Sequence, residues 1–202
     1  MRVALIGASG AAGSRILREL VRRGHTVLAL ARHPEKVEQL TGVEARAADT
    51  NDPVGLTRLL KGVDAVVSSV KFKDFDGTTL INAVRAADVK RYIVVGGAGS
   101  LEISPGLLEM NSPKFPAHVK PEAEKGAHYL DQLRASDLDW TFLSPSRFFN
   151  PGERTGKFRL GTDQLLTDAT GKSAISLEDY AIALVDELEQ SRHVRARFTV
   201  GY

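Results

Sequence analysis

The chain has 202 residues, which suits one α/β domain and is short for two independent cores. Its 43% hydrophobic and 26% charged residues make an ordinary globular balance, excluding a disordered, collagen-like or fibrous coiled-coil chain. A net charge of +2 gives no ground to expect nucleic acid, and the lack of Cys excludes disulfides, thiol catalysis and Cys-ligated metal.

The apolar runs are short and the first of them starts almost at Met1, so neither a signal peptide nor a membrane span is expected, and the expected location is the cytoplasm. Val- and Ile-rich runs at residues 2–6, 25–31, 43–47, 63–70, 91–95 and 140–143 read as strands, with a last one at 197–200. Several are continuously apolar, as strands covered on both faces must be. Between them, 11–23 places Ile16, Leu17, Leu20 and Val21 on one helical face and arginines elsewhere. Asp52-Pro53 opens a helix running to about Lys61-Gly62, Asp being a cap and Pro fitting the first turn. Further helices are expected at 76–87 and 120–136, and Ser176-Leu177-Glu178-Asp179 starts one through Gln190 as a capping box with Asp in place of Glu. The alternation predicts a single doubly wound α/β domain of Rossmann type with a parallel sheet. Residues 147–175 are turn-rich and read as a hairpin-like flap on the substrate side.

Gly7-Ala8-Ser9-Gly10-Ala11-Ala12-Gly13 follows the first strand and opens the first helix. In that context Gly7 makes the tight turn, Gly10 lets backbone approach a pyrophosphate, and Gly13 lets helix and strand pack closely. The alternative is the same turn with no ligand. Where an NAD-preferring fold offers an acid to the ribose 2′-hydroxyl, this chain has Arg32, with Lys36 one turn on, so NADP(H) is the expected cofactor, with NAD(H) the alternative. The lesser alternative is that Arg32, His33 and Lys36 form a solvated cationic end. Asp49 and Thr50 end the third strand, where Asp49 faces the adenine or makes a local turn bond. Ser68, Ser69 and Val70 end the fourth, where ligands of open α/β sheets collect.

These residues resemble the short-chain dehydrogenase/reductase superfamily, in the atypical NAD(P)H-binding branch that takes in NmrA-like proteins, NADH-flavin reductases and the flavin/biliverdin reductase. The likeness covers almost the whole chain: the glycine turn, residues 31–36, 63–66, 95–101 and 133–141, and Ser144-Pro145. Residues 156–161 and 176–184 look most like the flavin-reductase subgroup. One departure stands out. The superfamily's Tyr-x-x-x-Lys pair is absent: Tyr92, Tyr129 and Tyr180 have Gly96, Leu133 and Leu184 four residues on, and Tyr202 is the last residue.

Ordinary alcohol dehydrogenation is therefore not expected, and reduction of a flavin, quinone or similar flat acceptor is, because solvent supplies its proton. The resemblance adds Gly96, Gly97, Pro145 and Ser146 around the cofactor and points to Ser100, His118 and Lys125 as candidate catalytic groups. Ser100 reads as a donor to a substrate carbonyl or as a loop hydroxyl, His118 as a proton donor or a surface residue, and Lys125 as a contact to the nicotinamide ribose. Phe148 and Phe149 read as walls for a flat substrate or as core. The rival functions are a non-catalytic NADP(H) sensor binding a partner protein and a sugar-nucleotide epimerase. The five histidines form no ligand cluster.

Overall fold

In the computed structural model, which describes all residues Met1–Tyr202, the strand and helix signals fall within a few residues of where the sequence puts them. In chain order the elements are β1 (Arg2–Ile6), α1 (Ala11–Arg22), β2 (Thr26–Ala31), β3 (Val43–Ala47), α2 (Pro53–Leu60), β4 (Ala65–Ser68), α3 (Gly77–Ala86) and β5 (Arg91–Val95). There follow β6 (Glu102–Ser104), β7 (Leu107–Leu108), α4 (Lys120–Arg134), β8 (Asp139–Ser144), β9 (Phe148–Asn150), β10 (Arg159–Gly161), β11 (Ala174–Ser176), α5 (Leu177–Gln190) and β12 (Ala196–Gly201). The main sheet has the order β10-β12-β8-β5-β4-β1-β2-β3, parallel except for β10.

The apolar strands alternate between two cores. Val3 and Leu5 pack with Ile16, Leu17 and Leu20 of α1 and Tyr180 and Leu184 of α5, while Ala4 and Ile6 pack with the helices of the other face. The two clusters hold 23 buried residues each, so neither face is left to solvent, which is why β1 reads as an unbroken apolar run. Asp52 caps α2 by accepting from the Gly55 N–H, and Ser176 caps α5 by accepting from the Asp179 N–H. The box at 176–179 is only half formed, since the Ser176 N–H goes to the Tyr202 hydroxyl and the Asp179 carboxylate turns to residues 155–156.

Residues 147–175 are not a hairpin. β9 and β11 pair in parallel, which needs a long excursion between them, and on that excursion β10 adds antiparallel to the sheet edge at β12. The irregular stretch 151–157 is held instead by carboxylates from two helices. Asp179 is wholly buried and accepts from the N–H groups of Thr155 and Gly156, both at 2.8 Å, and from the hydroxyls of Thr155 and Tyr202. Glu178 accepts from the Gly152 N–H at 2.8 Å, and Glu19 of α1 binds Arg154 through both carboxylate oxygens. Burial alone would raise the Glu19 carboxyl, but its bonds to Arg154 and Arg23 outweigh that and hold it below its ordinary value. No helix is long and apolar enough to cross a membrane.

Candidate functional site

The site begins at the turn after β1. Gly7 sits at φ +85°, and a side chain there would strike the Ser69 carbonyl as well as straining the backbone. Gly13 packs its bare Cα on the Gly7 carbonyl, and any Cβ would collide with it. Gly10 differs: a Cβ there meets only the carbonyl oxygens of Gly7 at 3.2 Å and Ser69 at 3.9 Å, so its open side faces a cleft. No side chain caps α1 at Gly10 and its first turn carries no acid, which leaves the leading N–H groups free for an anion. The residues thus fit a phosphate-bearing cofactor.

The cleft, about 400 Å³, opens where β1 has β2 on one side and β4 on the other, the reversal point of the sheet. Of the residues chosen from sequence it takes in Gly7, Ser9, Gly10, Arg32, Lys36, Asp49, Thr50, Ser69 and Val70; Asn51, Lys71 and Asp74 join them. Arg32 is three-quarters exposed and 3.9 Å from Asp74 across the mouth. Ala11 and Ala12 stand in the first turn of α1, and neither side chain lines the cleft.

Two expectations need correction here. Ser68 turns inward: it is 2% exposed, its hydroxyl lies 2.8 Å from that of Tyr92, and Tyr92 in turn lies 2.8 Å from Tyr129. Burial pushes the Tyr92 phenol up to about 12 and Tyr129 well above its ordinary value, so this chain of hydroxyls stays protonated and ties β4 to α4. At Asp49 the local turn bond forms: one carboxylate oxygen accepts from both the backbone and side-chain amides of Asn51, and the residue lines the cleft. Gly96 is a packing glycine whose Cβ would strike Phe142.

Beside the cleft lies a second cavity of about 530 Å³, bounded by the turn after β4, the loop after β5, α4 and the start of β9. Val70 and Lys71 line the cleft and Phe72 lines the cavity, so the two spaces adjoin across one turn. Gly97, Pro145 and Ser146 belong to the cavity, with Ser100, Phe148 and Phe149. Phe72 stacks on Phe142, centroids 5.9 Å apart and planes at 16°, which makes one wall aromatic.

Its carboxylates are satisfied internally. Glu122 accepts from the N–H groups of Phe72 and Lys73 and fixes the turn, while Glu109, 4% exposed, takes a two-pronged contact from Arg147 at 2.6 and 2.8 Å. That bond holds the Arg147 guanidinium above its ordinary pKa. His118 and Lys125 are exposed and line neither space. Phe72 and Phe75, spaced just beyond a strand's carboxyl end, were the available signal for the aromatic wall; no sequence pattern pairs Glu109 with Arg147, 38 residues apart.

The glycine turn, with its one open face, is what decides the family. The profile of the NAD(P)H-binding family matches residues 7–191, from that turn to just past α5. The chain belongs to the NAD(P)H-binding family. This NAD(P)H-binding protein therefore has the fold and cofactor class of an oxidoreductase. It is 43% identical to a Burkholderia pseudomallei protein provisionally named an exported protein, with a TM-score of 0.90 and all of both chains covered. It is 40% identical to a provisionally named epimerase of Bacteroides thetaiotaomicron, with a TM-score of 0.95 over 100% of this chain and 96% of that one. A provisionally named NADH-flavin reductase of Streptococcus pneumoniae is 35% identical, with a TM-score of 0.80 over 100% and 99%. The three names differ while the fold does not, so the reaction has to be argued from the site.

Proposed function

We propose that this NAD(P)H-binding protein is an NADPH-dependent reductase of flat, conjugated acceptors of the flavin or quinone class. The observation that carries the reading is the aromatic-walled cavity of about 530 Å³ adjoining the cofactor cleft across the 70–72 turn. When bound, the cofactor supplies a hydride. Gly10 and the leading amides of α1 hold its pyrophosphate, and Arg32 with Lys36 pairs with the 2′-phosphate. The Phe72–Phe142 wall and Phe149 hold the acceptor flat and exclude water, and the excursion 147–175 covers the substrate side. With Glu109 and Glu122 already engaged and no Tyr–Lys pair in the chain, solvent delivers the proton. The location that suits NADPH use is the cytoplasm.

Steady-state NADPH oxidation with riboflavin and naphthoquinones tests this. Turnover that follows acceptor structure is expected, together with weaker NADH use. A protein that binds NADPH tightly and reduces none of them is a sensor, and the reductase reading fails.

A further inference from the structure

Ser100, on the loop after β5, is buried and lines the cavity, and its hydroxyl meets Arg197, which does not itself line that space. Arg197 on β12 has only 7% of its side chain exposed. Its Nη1 donates to the Ser100 carbonyl at 2.8 Å and to Ser100 Oγ at 3.0 Å, and its Nε donates to Asp163 at 2.9 Å. The loop is fixed again where the Glu109 N–H bonds the Leu101 carbonyl and the Met110 N–H bonds the Gly99 carbonyl. Ser100 Oγ has no other protein partner, so its proton is unclaimed, and the residue lines the cavity.

A hydroxyl has one proton and two lone pairs, and a guanidinium only donates and stays charged. With a cation on one lone pair, the Ser100 oxygen loses electron density and its O–H becomes a stronger donor. We infer that Arg197 is a positioning residue that makes Ser100 a polarised, one-way hydrogen-bond donor, so that the cavity selects acceptors presenting a carbonyl oxygen to it. The inference rests on the proposed acceptor occupying that cavity. Hydride addition forms one bond to hydrogen on the conjugated acceptor and moves the C=O π pair onto oxygen. The oxyanion is held by Ser100 and takes its proton from solvent, and the two electrons come from NADPH, which is oxidised to NADP⁺.

The test compares 1,4-naphthoquinone with methylene blue, a flat acceptor without a carbonyl, each corrected for its uncatalysed rate. The quinone-to-dye ratio of kcat is expected to fall about tenfold in both Arg197→Met and Ser100→Ala, the loss of one assisted hydrogen bond. The double variant is expected to be no worse than Ser100→Ala, because Arg197 acts through Ser100. Arg197→Lys, which keeps the charge and one donor, recovers part of the ratio and serves alone if Arg197→Met does not fold. Additive losses, or both acceptors falling together, overturn the inference in favour of a structural tie.

A readout without turnover separates this from the reductase reading: the infrared carbonyl stretch of naphthoquinone bound to the NADP⁺-loaded protein. A lowered stretch in the native protein that returns toward the free value in either variant upholds the donor even if nothing is reduced. A native protein that leaves the stretch unshifted, or fails to bind the quinone, refutes it.

Discussion

Gly10 and Gly13 lie three residues apart in one turn, and the structure assigns them opposite kinds of sensitivity. At Gly10 the backbone is at φ −73° and ψ 169°, which any L residue adopts, and the nearest atom to a new Cβ is 3.2 Å away. Gly10→Val should therefore fold, losing about 1 kcal/mol for a poorer N-cap, or about 2–4 °C of Tm at this chain length. Its two methyl groups, however, project into the space a pyrophosphate needs. Losing two charge-assisted bonds to the α1 amides, at about 1.5–3 kcal/mol each, weakens NADPH by a hundredfold or more. Gly13→Ala reverses the pattern: its Cβ strikes the Gly7 carbonyl, an overpacking cost of about 1–3 kcal/mol or more, so stability falls first. Calorimetry with NADPH beside thermal melts of both variants separates the two effects. A folded Gly10→Val with unchanged NADPH affinity would refute the placement of the pyrophosphate, and a fully stable Gly13→Ala would refute the packing argument.

Arg32→Ala should reduce a preference for NADPH over NADH by about tenfold, with the effect shrinking in high salt because the side chain is three-quarters exposed; equal affinities in the native protein would end that assignment. His118→Ala and Lys125→Ala should each change kcat less than about threefold, far from the 10²–10⁴ of a general acid, since neither lines the cleft or the cavity; a hundredfold loss in either would identify a proton donor. Glu19 and Glu178 are both held below the ordinary value of 4.5, their ion pairs and, for Glu178, the Gly152 amide outweighing burial. Their support of residues 151–157 is thus complete above about that pH and is lost as pH falls through the lowered values. Hydrogen exchange should show the Gly152 amide, which Glu178 holds, opening on acidification before the core strands, and simultaneous opening would count against it.

The parallel sheet was legible because both faces of β1, β2, β4 and β5 are buried, so those strands carry no polar alternation to confuse them. The glycine turn was legible because three backbone constraints fall within seven residues. What escaped depends on partners far apart in the chain. Ser68 stands at a strand's carboxyl end like Ser69, and the alternation of faces along the chain sends the Ser68 hydroxyl to Tyr92 in the core while Ser69 lines the cleft. β9 and β11 look like hairpin arms by their turn residues, yet they run parallel because β10 is drawn to the edge at β12. Arg197 and Ser100 are 97 residues apart, and neither has a neighbour in sequence that marks the pair.

The carboxylate tethers of residues 151–157 bear on how such proteins can be recombined. The conformation of that stretch is written mostly outside it, in the first turn of α5 through Ser176, Glu178 and Asp179 and on α1 through Glu19. A chimera that moves the stretch alone into a relative would bring it without these anchors. The segment and the opening of the helix are therefore one transferable module, and variation built from relatives has to exchange both together.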